Sequence, residues 1–185
     1  AEPLSRQLAQ RIKLVLLDVD GVLTDNGVYV GETAGGEAVE LKKFSILDGL
    51  GIKMLQWGGI KVALVSGRTS AASRLRADEL GIECHMSPQG EKIEAANDVM
   101  ARNGVSWNEV ACVCDDLADI PLMRRAALPV AVANAVPEVA SLAKWVTTNA
   151  GGSGAVREFA EEVLKARGDW VRLVDEYVRA RDRDS

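Results

Sequence analysis

Apolar residues along the chain fall into continuous runs rather than a strict alternation with polar ones. Strands are predicted at 13–19, 59–67, 81–87, 109–116, 128–134 and 145–149. Segments of helical composition separate them, at 48–58, 70–81, 90–104, 119–127, 137–145 and 155–168. Continuous apolar runs are typical of strands that are buried on both faces of a sheet. The order of the elements therefore predicts an α/β fold, a Rossmann-like three-layer parallel sheet with helices on both faces.

One stretch behind the first strand departs from this order. GVYV and AVEL flank the pair Gly35-Gly36 and predict two short strands joined by a turn. We expect a small β-hairpin flap at about 25–44, too short to form a cap domain. Residues 11–168 would form a single domain, after an N-terminal extension at 1–10 and before a tail at 169–185 that is expected to be frayed.

The composition is that of an ordinary globular protein and narrows the choice of partners. The 185 residues are 48% hydrophobic and 26% charged, with a formal net charge of −5. This acidic balance argues against nucleic acid as a partner. No apolar run approaches the roughly 20 residues that span a membrane, and the first residues lack a signal-peptide core.

The cysteine content indicates a reducing compartment. Cys84, Cys112 and Cys114 make an odd set, and His85 is the single histidine. A zinc site is possible for such residues, but buried core cysteines are the favoured interpretation. We expect no disulfide framework and a cytoplasmic protein.

The first strand runs directly into two acids, in the sequence KLVLLDVDGVLTD at 13–25. Carboxylates this close raise each other's pKa, and their burial is costly without compensation. Asp18 and Asp20 either close the strand in an ordinary turn with Gly21 or supply a nucleophile and an acid/base beside a bound cation.

Polar residues also end the second strand, at the sheet edge where α/β proteins bind ligands. A hydroxyl, a glycine amide and a guanidinium from Ser66, Gly67 and Arg68 could cradle an anion. The alternative is a helix cap, for which Thr69 or Ser70 is suited.

A third group of candidates lies further along the chain. Asp115, Asp116 and Asp119 in CDDLADIP offer oxygen ligands of the kind that suits Mg²⁺, or they favour the dipole of the following helix. Lys92 stands early in a helix, where a lone lysine is usually a solvated surface residue.

The order and spacing of these groups resemble the haloacid dehalogenase superfamily of phosphotransferases. Its signature DxDG[TV]L[TS] reads DVDGVLT at 18–24. Ser66 matches the second motif, Lys92 the third, and Asp115 with Asp116 the fourth.

The resemblance extends to one branch of that superfamily. From 11 to 168 the chain is similar to the small capless members that dephosphorylate 3-deoxy-D-manno-octulosonate 8-phosphate, most specifically in GGSGAVRE at 151–158. The implied activity is a Mg²⁺-dependent sugar phosphate phosphatase of lipopolysaccharide sugar biosynthesis.

The resemblance also implies roles for single residues. Asp18 would attack phosphorus to give an aspartyl-phosphate, and Asp20 would protonate the leaving hydroxyl and then activate water. Mg²⁺ would be held by the Asp18 carboxylate, the Asp20 carbonyl and Asp115. The groups implied to hold the phosphoryl oxygens are Ser66, the Gly67 amide and Lys92.

Substrate choice and assembly are implied in the same way. Arg68 and Arg76 match arginines that bind the sugar acid, although Arg76 is equally compatible with a surface role. Related enzymes are homotetramers in which the hairpin joins a shared barrel and a neighbour's C-terminal segment closes the site. Arg157 would then act in trans, and Asp116 and Asp119 would support the site.

Two positions depart from the branch and leave the substrate open. Cys114 stands where glycine is usual, and could crowd the metal site or expose a thiol beside it. Leu47 stands where an arginine is usual. A phosphatase for a nonulosonate 9-phosphate is therefore the first alternative. A non-catalytic oligomerisation module related to cytidylyltransferase C-terminal domains is the second, against which the intact acids count.

Overall fold

A computed structural model describes residues 3–182 of the chain. Its strands are β1 (Leu14–Leu17), β2 (Tyr29–Glu32), β3 (Ala38–Leu41), β4 (Lys61–Ser66), β5 (Glu83–Met86), β6 (Val110–Cys114), β7 (Leu128–Ala131) and β8 (Trp145–Val146). Its α-helices are α1 (Arg6–Arg11), α2 (Ile46–Trp57), α3 (Ala71–Leu80), α4 (Lys92–Asn103), α5 (Ile120–Met123), α6 (Pro137–Ala140), α7 (Ala155–Arg167) and α8 (Trp170–Arg179).

The main sheet is parallel, in the order β5-β4-β1-β6-β7-β8. β1 lies between β4 and β6, and all four of its residues are buried. Val15 and Leu17 belong to one hydrophobic core, whereas Leu14 and Leu16 belong to a second core on the other face. The absence of alternation in the sequence thus follows from burial of both faces.

Helices cover both faces of this sheet. The first core takes Ile52 and Leu55 from α2 and Phe159 from α7. The second core takes Val99 from α4 and Met123 from α5. The predicted three-layer α/β fold is confirmed.

The predicted hairpin is also present. β2 and β3 pair antiparallel, with Tyr29 opposite Leu41, around a turn in which Gly36 adopts a φ of +82°. A left-handed conformation of this kind suits glycine. All four residues of β2 are exposed, whereas β3 is partly buried, so β2 is the strand of the hairpin that faces solvent.

Two helices are shorter than predicted. α5 and α6 have one turn each, in place of the predicted 119–127 and 137–145. A 3₁₀ turn at Leu117–Asp119 precedes α5, and the chain after Met123 must turn to enter β7 at Leu128. Little length remains for a regular helix.

The expectation of a frayed tail at 169–185 is wrong for residues 170–179, which are helical, while residues 183–185 of that tail and residues 1–2 of the predicted extension lie outside the described part of the chain. Residues 170–179 form α8, which buries Leu173 and brings the Tyr177 ring to 5.7 Å from the ring of Trp57, centroid to centroid. The predicted N-terminal extension at 1–10 likewise contains most of α1.

Within residues 3–182, no helix is both long and apolar enough to cross a membrane.

Candidate active site

The predicted site residues meet at the carboxyl edge of the main sheet. β1 leads to Asp18, β4 to Gly67 and β6 to Asp115. A cavity of about 270 Å³ opens at this edge. Seven of the predicted residues line it, namely Asp18, Asp20, Gly67, Arg68, Lys92, Asp115 and Asp116.

A tight turn after β1 separates the two acids. The amides of Val22, Leu23 and Thr24 all donate to the Val19 carbonyl, and Gly21 adopts a φ of +87°. A Cβ on Gly21 would lie 1.9 Å from Asp115 Oδ2, so only glycine allows this approach of the two loops. The turn sends Asp18 and Asp20 to different partners.

Two further loops, one after β7 and one after β8, form hydrogen bonds that support this turn. Asn134 Nδ2 donates to the Gly21 carbonyl at 3.0 Å, and the Gly151 amide donates to Asn134 Oδ1 at 2.6 Å. The Gly152 amide donates to the Val22 carbonyl at 3.0 Å. The glycines of GGSGAVRE therefore pack directly on the acid-bearing turn, a contact that sequence reasoning missed, as it missed Asn134.

Lys92 is buried between two carboxylates and is not a surface residue. Its side chain is 3% exposed, and Nζ lies 2.8 Å from Asp18 Oδ1 and 2.6 Å from Asp119 Oδ1. Burial alone would lower the pKa of Lys92, but Asp18 and Asp119 outweigh it and raise that pKa above its ordinary value. Lys92 therefore stays charged at neutral pH.

Three carboxylates lie close together at the cavity, where Asp18 and Asp115 line it and Asp119 is buried behind them. Oxygens of Asp18, Asp115 and Asp119 lie within 4.8 Å of one another. Burial, followed by the charge of Asp119, raises the pKa of Asp18 from 3.8 to about 6. Burial, followed by the charges of Asp18 and Asp119, raises the pKa of Asp115 to about 8. Lys92 alone does not neutralise this cluster, which is the charge pattern of a cation site.

The hydrogen bonds indicate which of these carboxylates can bind a metal. Asp119 already accepts from Lys92 and from the amides of Asp115 and Asp116, at 3.2 and 3.5 Å for the amides. Asp115 Oδ1, by contrast, is buried without a hydrogen-bond partner among the described residues. Asp18 and Asp115 therefore fit a Mg²⁺ ion, which prefers such oxygens, and Asp119 holds the loop and Lys92 in place.

The segment after β4 contributes an amide and a guanidinium to the cavity. Ser66 Oγ is hydrogen-bonded to the amide and the carbonyl of Arg68, both at 3.2 Å, and does not line the cavity. Arg68 Nη1 lies 3.6 Å from Asp20 Oδ2, and its Nη2 lies 3.0 Å from Glu40 Oε2. Ser70 caps α3, as the alternative interpretation of this segment suggested.

Lys42 is a further residue that sequence reasoning missed. It follows β3, its side chain is fully buried, and Nζ lies 2.7 Å from Asp20 Oδ1. Asn26, which adopts a φ of 68°, also lines the cavity. No sequence signal distinguishes Lys42 from the adjacent Lys43, because the difference arises only when the hairpin folds against the domain.

Two predicted arginines lie outside the cavity. Arg76 Nη2 donates to the Ser45 carbonyl at 3.0 Å and its Nη1 pairs with Glu79 at 2.7 Å. Arg157 Nε pairs with Glu161 at 2.7 Å on the same helix. Within one chain, neither guanidinium is brought to Asp18.

Cys114 and Leu47, the two residues that depart from the family pattern, differ in burial. Cys114 is 1% exposed and belongs to the second core, so of the two possibilities raised by its position, a thiol exposed beside the metal site is wrong. Burial, with Cys112 as neighbour, raises the pKa of the Cys114 thiol. Leu47 is 58% exposed in the first turn of α2.

The sequence is similar to those of known phosphatases. Residues 85–159 match the haloacid dehalogenase-like hydrolase family. The chain is 41% identical over 160 residues to 3-deoxy-D-manno-octulosonate 8-phosphate phosphatase KdsC of Escherichia coli K12, covering 86% of this chain and 83% of that protein.

Solved structures give the same result. The phosphatase of that name from Moraxella catarrhalis, in complex with magnesium ion, phosphate ion and KDO, has a TM-score of 0.85 and 34% identity, covering 93% of this chain and 97% of that one. The cobalt-bound deoxy-D-mannose-octulosonate 8-phosphate phosphatase from Haemophilus influenzae has a TM-score of 0.79 and 40% identity, covering 88% of this chain and 92% of that one. This chain shares its fold with these phosphatases, and its DVDGVLT turn and the acids Asp115 and Asp116 lie at one cavity. It therefore belongs to the haloacid dehalogenase-like hydrolase family.

Proposed function

We propose that this protein is a Mg²⁺-dependent phosphatase that removes phosphate from 3-deoxy-D-manno-octulosonate 8-phosphate through an aspartyl-phosphate intermediate. The observation that carries the proposal is the cavity in which Lys92 contacts Asp18 at 2.8 Å, while a buried oxygen of Asp115 has no hydrogen-bond partner among residues 3–182. The identity and structural similarity to phosphatases of that substrate support it.

Asp18 and Asp115 would hold the metal ion. When bound, Mg²⁺ supplies positive charge that offsets the repulsion between a carboxylate nucleophile and an anionic phosphate ester. Burial and neighbouring carboxylates raise the pKa values of Asp18 and Asp115. A bound cation would lower both pKa values, because it favours the charged carboxylates.

In the first step, Asp18 acts as the nucleophile. A carboxylate oxygen of Asp18 forms a bond to phosphorus, and the bond between phosphorus and the sugar oxygen breaks. Asp20 donates its proton to that oxygen, so the sugar leaves as a neutral alcohol. The products are an aspartyl-phosphate at Asp18 and a carboxylate at Asp20.

In the second step, the aspartyl-phosphate is hydrolysed. The Asp20 carboxylate takes a proton from a water molecule whose oxygen attacks phosphorus. The bond between phosphorus and Asp18 breaks, inorganic phosphate leaves, and both aspartates return to their starting states. The arrangement supports this division of labour because Asp18 and Asp20 have separate partners, Lys92 and Lys42.

The remaining polar groups of the cavity hold the phosphoryl oxygens. The Lys92 ammonium is fixed by Asp119, so it needs no rearrangement to stabilise charge on phosphate. We assign the same task to the Gly67 amide. Ser66 maintains the turn that presents this amide, through its two hydrogen bonds with Arg68.

Arg68 is the residue that we propose binds the sugar acid. Its side chain is half exposed at the cavity, and a guanidinium binds a carboxylate with two parallel hydrogen bonds. Arg76 would need to leave Ser45 and Glu79 to take part. A role in substrate binding therefore rests mainly on Arg68.

A panel of phosphate esters tests the proposed activity. Purified protein with Mg²⁺ is expected to release phosphate from octulosonate 8-phosphate with a kcat/KM at least about tenfold above that for nine-carbon nonulosonate 9-phosphates, a difference of about 1.4 kcal/mol. A preference for the nine-carbon esters would move the assignment to the alternative substrate. Release from none of them, with Mg²⁺ present, would refute the phosphatase.

We further propose that the protein is a cytoplasmic homotetramer. Tyr29, Val30 and Leu41 of the hairpin are 72%, 80% and 61% exposed, an apolar surface that suits an interface between copies. Arg157 would reach a neighbour's site in that assembly. The three free cysteines are compatible with a reducing compartment. Light scattering of the purified protein measures the mass, and a monomer would contradict the tetramer.

A further inference from the structure

The hairpin supplies a buried lysine to the acid-bearing turn. We propose that Lys42 is a positioning residue that fixes the Asp20 carboxylate for proton transfer. This inference rests on the proposed role of Asp20 as acid/base. It adds a function to the hairpin beyond any contact between copies of the chain.

The burial of Lys42 is unusual for its place in the chain. Its side chain is fully buried, whereas Leu41 is 61% exposed and the side chain of Lys43 is 65% exposed. Lysine is almost never fully buried unless it is paired. Nζ of Lys42 lies 2.7 Å from Asp20 Oδ1 and 3.7 Å from Glu40 Oε1, and it donates to Ser73 Oγ at 3.2 Å.

The contact between Lys42 and Asp20 constrains the carboxylate without saturating it. Lys42 Nζ lies close to Asp20 Oδ1, yet this buried oxygen makes no hydrogen bond within the described residues. The contact is therefore an ion pair that lies off the hydrogen-bond direction. Arg68 approaches the other oxygen, Oδ2, at 3.6 Å. Two cations thus bracket the two oxygens, so rotation of the carboxylate separates charge and is disfavoured.

The two cations are not equivalent. The side chain of Arg68 is 50% exposed and shares its guanidinium with Glu40 at 3.0 Å, so it is screened by solvent and free to turn toward a substrate. Lys42 is held by α3 through Ser73 and does not line the cavity. Lys42 therefore contacts Asp20 from outside the cavity in which the substrate is proposed to bind.

Substitution of Lys42 should lower turnover rather than substrate affinity. In steady-state assays with octulosonate 8-phosphate and Mg²⁺, Lys42→Met is expected to reduce kcat by about 10- to 100-fold, because a small misplacement of an acid/base has effects of this size. KM should stay within about twofold. Lys42→Arg should recover part of the loss, and the exposed neighbour provides a matched control, since Lys43→Met should leave both constants within about twofold.

A double-mutant cycle separates positioning from a structural effect. If Lys42 acts through Asp20, Lys42→Met in an Asp20→Asn background should cause no further loss in single-turnover rate. Independent, multiplying losses would overturn the inference, as would a raised KM with an unchanged kcat. Lys42→Gln is measured alongside, with the melting temperature of each variant, so that failure of one variant to fold leaves the other to decide.

The wild-type protein keeps the two hypotheses apart. Absence of phosphate release by wild type and by Lys43→Met would refute the proposed function. Normal release by wild type together with a wild-type kcat in Lys42→Met or Lys42→Gln would refute only the positioning role.

Discussion

The turn that carries Asp18 and Asp20 rests on Gly151, so Gly151→Ala should damage activity far more than one methyl group suggests. An added Cβ would lie 1.8 Å from the Gly21 carbonyl oxygen. Ordinary contact begins at 3.4 Å, and the difference, about 1.6 Å, is the shift that the backbone must absorb. Overpacking of this kind costs about 1–3 kcal/mol, or a fall in Tm of about 2–12 °C for a chain of this length.

The catalytic consequence should be larger than the loss of stability. Because a displacement of about 1 Å can cost about 100-fold in rate, kcat for octulosonate 8-phosphate is expected to fall by about 100-fold or more, with a smaller change in KM. Phosphate release and differential scanning calorimetry measure the two effects. Gly35→Ala is the control, since its Cβ would meet only Thr33 Oγ1 at 3.7 Å. A Gly151→Ala protein with wild-type Tm and a kcat within threefold of wild type would refute the reasoning.

Three other perturbations have defined outcomes. Lys92→Met leaves Asp18 and Asp119 without their shared cation, so kcat should fall by at least about 100-fold and Tm should fall as well; retention of a tenth of wild-type kcat would contradict the assigned role. In the folded protein, the pKa of Asp115 is about 8 and that of Asp18 is about 6, both above the ordinary 3.8, so the metal-free protein should lose stability as pH rises from about 4 to 8. Mg²⁺ should therefore raise Tm more at pH 8 than at pH 6, and an equal rise at the two pH values would argue against these ligands. Cys114→Gly should lower the free energy of unfolding in urea by about 1–3 kcal/mol with kcat unchanged, whereas a changed kcat at equal stability would place the thiol in the site.

The sheet and the positions of its terminal acids were predictable because local patterns determine them. A strand such as β1, buried on both faces, has an uninterrupted apolar run. The acids must follow such a run because the strand interior excludes them. Parallel strands bring their carboxyl ends to one edge, so Asp18 and Asp115 could be expected to meet.

Burial of single lysines depends on contacts between distant segments, so local patterns did not predict it, although the family resemblance placed Lys92 at the site. Lys92 is buried because the start of α4 faces both Asp18 and Asp119, the latter 27 positions away along the chain. Lys42 and Lys43 are neighbours of the same type, and only the packing of the hairpin on α3 decides which one is buried.

Competition between partners explains the arginine that lies outside the cavity. Arg76 lies on the predicted helix, but Phe44, Ser45 and Glu79 engage its guanidinium, and its centre lies 5.7 Å from the Phe44 ring centroid. The tail is a different case. Its terminal position suggested fraying, whereas Leu173 packs into the first core and the Tyr177 ring contacts the Trp57 ring.

Phosphoryl transfer to Asp18 is the central claim, and trapping the covalent intermediate tests it most directly. Wild-type protein is mixed with octulosonate 8-phosphate and Mg²⁺, quenched in acid within the first turnover, and digested for peptide mass spectrometry. We predict a phosphoryl group on the peptide that contains Asp18, and neither that group nor free phosphate from Asp18→Asn. Phosphate release at the wild-type rate by Asp18→Asn, or a phosphoryl group on another residue, would contradict the mechanism.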